Sequence, residues 1–347
     1  MSETVKIGLI GAGLIGREHA KYCQSSSEVE LVGIADPSTA AAELAQILDV
    51  AHYADYKEML QRSDIQAVIA AVPNALHASV AVDALERGLP VLVEKPLADS
   101  LDAARQIVEA TRQTGVPVLV GHQRRYAPDV AAARTFIASG GVGDVVSVGI
   151  LSTWRKHDEY FEVSWRTQRG AGPVLINLIH DIDAIRFLVG EIEETISMGG
   201  KAVRGLDVPD TTGTVMRFAN GAIGTALASD AAASPWCWDL TSGYGAYFPA
   251  PPDGDVYFIS GTEAAISLPS LTVSRHQGDR HWQTPIEQTT LPRVEVNPYV
   301  AQLEHFAAVV RLETEPLITA EDALKTLEVA LTIDEDANDS LTRKVFS

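Results

Sequence analysis

Three glycines stand at fixed spacing in Gly11-Ala12-Gly13-Leu14-Ile15-Gly16, after an apolar run over residues 5–10 and before a helix-like stretch over residues 17–25. The run reads as a buried strand. In such a strand-turn-helix corner, Gly11 permits a tight turn, Gly13 lets the backbone approach a pyrophosphate, and Gly16 lets the helix pack on the strand. The free amides of the helix start, from Leu14 and Ile15 onward, then face the phosphates. A second apolar run, residues 30–35, ends at Asp36, about twenty-five residues beyond Gly11. A carboxylate there accepts hydrogen bonds from a ribose 2′-OH and repels a 2′-phosphate. The following Pro37-Ser38-Thr39-Ala40 has no Arg or Lys to neutralise such a phosphate. The pattern predicts a dinucleotide site that favours NAD over NADP. The bland alternative is an ordinary corner in which Asp36 only caps the next helix.

Such a site needs a sheet to present it. The first third of the chain alternates strand and helix. Strands are expected over residues 51–53, 66–71, 91–94 and 118–120, and helices over 40–48, 55–62, 75–87 and 100–114. This alternation implies a doubly wound parallel sheet, whose ligands bind beyond the C-terminal strand ends. Three loops meet there: residues 11–16, Val72-Pro73-Asn74 and Glu94-Lys95-Pro96. Lys95 then stands beside the expected nicotinamide. It can donate to a hydroxyl or carbonyl, or take a proton if desolvation lowers its pKa. A plain surface lysine after a strand is the competing reading.

After Gly121 the character changes. Helices are expected over residues 128–139 and, opened by Gly170-Ala171-Gly172-Pro173, continuously to Leu188. Between and after them come strands over 145–152, 195–203, 211–218, 222–228, 236–240, 256–259, 264–268 and 271–275, with Asn220-Gly221 as a hairpin signal. Two helices, 298–311 and 320–336, close the chain. The fold class expected is α/β: a Rossmann domain over residues 1–122, then an α/β domain over 123–347 with a large, open, mostly antiparallel sheet. The last helices can pack back on the first domain.

Composition narrows the partners. A chain of 347 residues suits two domains. Its net charge of -19 argues against nucleic acid or an anionic membrane as a partner. Cys23 and Cys237, the only cysteines, read as reduced thiols. No signal-type segment or membrane-length apolar run is evident, so the expected location is cytoplasmic. A small-molecule substrate and a homodimer or homotetramer are expected.

The combination of the glycine corner, Val72-Pro73-Asn74-x-x-His77, Glu94-Lys95-Pro96-Leu97-Ala98 and Gly121-x-x-x-Arg125-Tyr126-x-Pro128 resembles the glucose-fructose oxidoreductase/inositol dehydrogenase/rhizopine catabolism (Gfo/Idh/MocA) family. The resemblance continues through Gly170-x-Gly172-Pro173 to His180-x-x-Asp183 and into the final helices. It implies NAD(P)-dependent oxidation or reduction of sugars, sugar acids or cyclitols. Carried over by position, Lys95 is the catalytic lysine and His180 the catalytic histidine. Pro73, Asn74, His77 and Glu94 join Gly11, Gly13, Leu14, Ile15, Gly16, Asp36 and Lys95 around the cofactor. Many members carry an Asp four residues before that histidine, where this chain has Ile176 beside Asn177. On a helix Asn177, three residues before His180, still faces the same pocket, but an amide cannot act as a base.

His180 has a second reading as an ordinary polar contact, or a metal ligand; no other His or Cys sits at useful spacing, so no metal is expected. Arg125, Tyr126, Lys156 and Arg166 are candidates for binding a carboxylate or hydroxyls, with solvated loop charges as the alternative for the three cations. Trp165, Tyr160 and Trp236 are candidate sugar walls or core residues. Two rival functions stay open: a glycoside hydrolase that oxidises transiently with tightly held NAD, and a non-catalytic dinucleotide sensor.

Overall fold

The computed structural model describes residues 3–244, 248–249 and 253–339. The chain forms two compact units, one holding Met1–Tyr126 and Val296–Leu327, the other Ala127–Glu295 and Glu328–Ser347.

The first unit is built on six parallel strands: β1 (Val5–Ile10), β2 (Val29–Ala35), β3 (Ala51–Tyr53), β4 (Ala67–Ala70), β5 (Val91–Val93) and β6 (Val118–Val120), in the order β3-β2-β1-β4-β5-β6. Helices α1 (Leu14–Ser25), α2 (Thr39–Leu48), α3 (Tyr56–Met59), α4 (His77–Leu85) and α5 (Leu101–Thr114) join them. β4, β5 and β6 are buried at every residue, which explains their uninterrupted apolar sequences. Capping sets the helix starts: the hydroxyls of Ser38 and Ser100 accept from the amides of Ala41 and Ala103. α5 stops at Gly115, whose φ of +68° suits glycine. The expected helix over 55–62 shrinks to one turn, α3, beyond which the amides of Gln61 and Arg62 turn to the three-residue-back carbonyls of Glu58 and Met59; Met59 itself is fully buried against the strands. A Cβ added at Gly8 would come within 2.8 Å of the Met59 methyl.

Val296–Leu327 returns to complete this unit. Ile318 O accepts from the Val120 amide at 3.0 Å. Tyr299 stacks on Tyr22 with 4.8 Å between ring centroids, Arg125 pairs with Asp322 at 2.5 Å, and Arg311 with Glu28 at 2.9 Å.

The second unit is built on eight strands: β7 (Val145–Thr153), β8 (Ile192–Gly200), β9 (Thr211–Phe218), β10 (Ile223–Ser229), β11 (Tyr257–Gly261), β12 (Ala265–Leu268), β13 (Thr272–His276) and β14 (Ile286–Thr290). Their order is β14-β13-β12-β11-β7-β10-β9-β8, and only the β7/β10 pair is parallel. β9 and β10 meet at a loop closed by the Phe218 amide on Ala222 O, with three residues inside that bond, in which the Gly221 amide bonds Phe218 O and Gly221 has φ +86°. That is a type I turn with a glycine bulge. Two helices, α6 (Pro128–Ala138) and α7 (Ile179–Val189), pack together on the sheet.

Two expectations are corrected, and one strand, β14, was not expected. The 236–240 segment is no strand: Trp238–Thr241 makes a short helix, α8, started by the amide of Thr241 bonding Cys237 O. Its Trp238 stacks on Tyr257 with centroids 5.2 Å apart, so the ring packs from a helical turn. β14 had no apolar alternation to announce it, since all its residues are exposed. The helix expected from Pro173 to Leu188 is not uniform: Val174–Leu178 is π-helical before α7 begins.

Asp129, in the first turn of α6, is fully buried, and desolvation pushes its carboxyl up to about 6. A carboxyl with a raised folded pKa holds its proton more tightly folded than unfolded. It therefore favours the fold at low pH and loses that contribution as pH rises from about 4 through about 6. Asp129→Asn keeps the oxygen that accepts from Val130 N but cannot ionise. It should raise stability at pH 7.5 by up to about 3 kcal/mol, with the gain fading toward pH 4 in melts run across that range.

Candidate active site

In the first unit the glycine corner is formed as its spacing requires. Gly11 has φ +92°. A Cβ on Gly16 would lie 2.1 Å from Gly11 O, so only glycine lets α1 start this close to the turn. A Cβ on Gly13 would meet nothing within 4 Å, and no side chain caps the helix there. This exposed, uncapped helix start is an open cradle for phosphate oxygens. Asp36, at the end of β2, accepts from Ala12 N at 2.9 Å through one oxygen and from Ser38 N at 2.8 Å through the other. Partial burial pushes its carboxyl up, but Ser38, the Ala12 amide and His52 outweigh that and hold it below the ordinary range. An ionised carboxylate with lone pairs to spare suits a ribose hydroxyl. These residues fit NAD.

The loops after β4 and β5 are tied together. His77, at the start of α4, is 1% exposed. Its Nδ1 lies 2.8 Å from Pro96 O and its Nε2 3.0 Å from Val72 O. Burial pulls its pKa down against the pull of those carbonyls. His77 is thus spent on holding the Val72-Pro73-Asn74 loop to the Glu94-Lys95-Pro96 turn, a positioning role. Glu94 is also buried, and its Oε1 meets His19 Nε2 of α1 at 2.7 Å. Burial opposes the charge on Glu94, yet His19 and Lys95 prevail and its pKa falls. Its second oxygen accepts from Lys95 N at 3.2 Å. Lys95 therefore sits, half-buried, on a turn fastened on both sides. His19 was missed from sequence, because its partner lies 75 positions away.

In the second unit His180, 9% exposed, opens α7. The next residue anchors the helix: fully buried Asp181 accepts from Ser152 Oγ of β7 at 3.0 Å and from Tyr257 OH of β11 at 2.6 Å. Asn177 lies in the π-helical segment, so its direction relative to His180 is not set by the α-helical three-residue step. Its Oδ1 accepts from Lys156 Nζ at 2.7 Å. Lys156 lies over the rings of Tyr160, at 4.4 Å, and Trp154, at 5.8 Å. Buried Asp230 and Arg204 stand behind it; Arg204 donates to Asp230 Oδ1 at 3.2 Å and to Lys156 O at 2.8 Å. Neither was evident from sequence. Arg166 stacks on Tyr160 at 4.0 Å and donates to Tyr160 O at 2.9 Å. Lys156 and Arg125 are buried rather than solvated, Arg125 with Asp322 in the first unit. Tyr126, also of the first unit, packs at a tilt against His305, 5.4 Å between centroids. Trp165 and Trp236 are half exposed, not core.

Comparison with known proteins agrees with the cradle. Residues 5–122 match a family described as "Oxidoreductase family, NAD-binding Rossmann fold", and residues 130–267 match the "GFO/IDH/MocA C-terminal domain". The chain belongs to the GFO/IDH/MocA oxidoreductase family.

It is thus an NAD-binding oxidoreductase. Among GFO/IDH/MocA relatives, it is 29% identical over 354 residues to scyllo-inositol 2-dehydrogenase (NAD(+)) of Bacillus subtilis, covering 95% of this chain and 93% of that one. It is 32% identical over 198 residues to an uncharacterized oxidoreductase of Streptococcus pneumoniae, covering 56% of this chain and spanning about half, 53%, of that relative. In fold it matches levoglucosan dehydrogenase solved with NADH and levoglucosan, with a TM-score of 0.80 and 22% identity over 97% of this chain and 98% of that one. Among the described residues no helix is long and apolar enough to cross a membrane.

Proposed function

We propose that the protein oxidises a secondary hydroxyl of a sugar, sugar acid or cyclitol, or reduces the matching ketone, with Lys95 and His180 handling the proton. The observation that carries this is the Lys95 turn: a lysine held at the end of β5 by His77 on one side and Glu94 on the other. The inositol and levoglucosan dehydrogenases among its relatives support the substrate class.

Gly11 to Gly16 and Asp36 hold the cofactor, with Pro73 and Asn74 on the adjoining loop. When bound, NAD supplies the hydride acceptor. Lys95 orients the reacting hydroxyl and, with ionised Glu94 beside it, steadies oxygen as its proton leaves. His180 is the second proton-handling group. Asn177 and Lys156 orient neighbouring hydroxyls, their mutual hydrogen bond fixing which face of the amide is offered. Positioning and charge complementarity are the protein's share.

The test follows NADH absorbance over a panel of sugars, sugar acids and cyclitols. Net NADH formation with one of them is the expected result. Turnover of a glycoside without net NADH would instead indicate transient oxidation, and binding without turnover a sensor.

Asp36 also predicts cofactor choice. NAD should bind more tightly than NADP, and Asp36→Ala should weaken NAD and narrow the difference. Calorimetric titration with both cofactors checks this; equal affinity in the parent chain would refute it.

The outer face of the second sheet supports self-association. Cross-strand register sets Ile196, Val215, Thr225, Gly149 and Phe258 in one row. Met198, Ile223 and Leu227 are exposed nearby. A second copy covering this face would bury an apolar patch unusual on a monomer. Light scattering at micromolar concentration should give a dimer or tetramer, and Ile196→Asp with Leu227→Asp should reduce the mass. A monomeric parent chain counts against it.

A further inference from the structure

The glycine corner holds a cation that its fingerprint does not call for. Arg17 follows Gly16 in the first turn of α1, and its half-buried side chain leans across the corner. Nε donates to Ala12 O at 3.2 Å and Nη2 to Ala40 O at 3.4 Å. Ala12 is also the residue whose amide holds one oxygen of Asp36, and Ala40 lies two residues beyond Ser38, whose amide holds the other. Arg17 and Asp36 therefore brace the same two backbone segments, the glycine loop and the start of α2. The expectation that no base stands near the ribose edge considered only residues 37–40, and a residue twenty positions earlier reaches the same turn.

Two features point to an anion. A guanidinium has five N–H donors, and the two carbonyls occupy only two of them; among the described residues Arg17 forms no ion pair. Its position is also unfavourable as it stands. A cation in the first turn of α1 that reaches the first turn of α2 lies at the positive ends of two helix dipoles. An anion bound there offsets both.

We propose that Arg17 is a specificity-determining residue of the cofactor site, a built-in ligand for a ribose 2′-phosphate that Asp36 overrides. Preference for NAD then comes from the Asp36 carboxylate repelling that phosphate, with the phosphate's own partner still in place. This rests on Asp36 reading the ribose 2′-OH. The guanidinium fork matches phosphate geometry, and its spare donors are free for it.

The test measures NAD and NADP dissociation constants by calorimetry, and the melting-temperature shift each cofactor gives, on the full chain and on Arg17→Ala, Asp36→Ser, Asp36→Ser/Arg17→Ala and Asp36→Ser/Arg17→Lys. Melts without cofactor check that each variant folds. Asp36→Ser should tighten NADP by about 10–100-fold, the scale of a hydrogen bond to a charged group. Adding Arg17→Ala should remove that gain, and Arg17→Lys should keep part of it. The proposal is overturned if the double variant with alanine binds NADP as tightly as Asp36→Ser alone. It is also overturned if Arg17→Ala weakens NAD and NADP by the same factor, since that places the guanidinium on the pyrophosphate common to both. If Asp36→Ser leaves both constants unchanged, the ribose reading of Asp36 fails, and this inference with it; a gain in NADP affinity that ignores residue 17 refutes Arg17 alone.

Discussion

Lys95→Ala is expected to lower turnover on the true substrate by about 10²–10⁴-fold, the usual cost of losing a positioned proton-transfer group. Cofactor affinity should largely survive, because the glycine corner and Asp36 carry most of it. The turn itself should also survive, since His77 grips Pro96 O and Glu94 grips the backbone amide of residue 95, neither through the lysine side chain. Lys95→Arg separates charge from proton transfer. It keeps the cation but is not deprotonated in proteins, so a variant as slow as alanine assigns Lys95 to proton handling. Recovery of most activity assigns it to charge stabilisation. Single-turnover kinetics with a saturating cofactor make the comparison, and an unchanged rate in Lys95→Ala would make the lysine a bystander.

His180→Ala should cost turnover on a similar scale, about 10²–10⁴-fold, and should also change the shape of the pH-rate profile. An imidazole has an ordinary pKa of about 6.5. Loss of one limb of the profile, with the other limb intact, is the expected signature. Asp181 supplies the contrast. It holds α7 to the sheet through Ser152 and Tyr257, so Asp181→Asn should lower the melting temperature. A rate that falls with His180→Ala at an unchanged melting temperature identifies chemistry rather than folding. A profile identical to the parent's would remove His180 from proton handling.

Sequence periodicity carried the first unit well because its central strands are buried on both faces and its corner uses glycine for steric reasons that no other residue meets. β6 lies where its apolar run puts it. Other features depend on partners that no local pattern reveals. Trp236 to Leu240 has strand-like composition, yet stacking of Trp238 on Tyr257 decides its shape. The π-helical turn at Val174–Leu178 has no residue signature, and it unsettles the spacing argument made for Asn177. Lys95 was visible as a strand-end lysine, but its two clamps, His77 and the His19–Glu94 pair, span distances in sequence that periodicity does not cover. Arg17 was hidden for a similar reason: a side chain that reaches backward across a turn leaves no trace in spacing.

The return of Val296–Leu327 to the first unit bears on how the protein is made. Translation produces the nucleotide-binding strands first, yet about 170 residues must follow before the segment that carries Tyr299, Ile318 and Asp322 is synthesised. At roughly 5–20 residues per second, that is a wait of about 10–30 s. Through that interval the nascent first unit lacks the partners of Val120, Tyr22 and Arg125. The part of the chain that leaves the ribosome first is therefore among the last to close, and a stop codon between residues 127 and 296 would release a nucleotide-binding half with an unfinished edge.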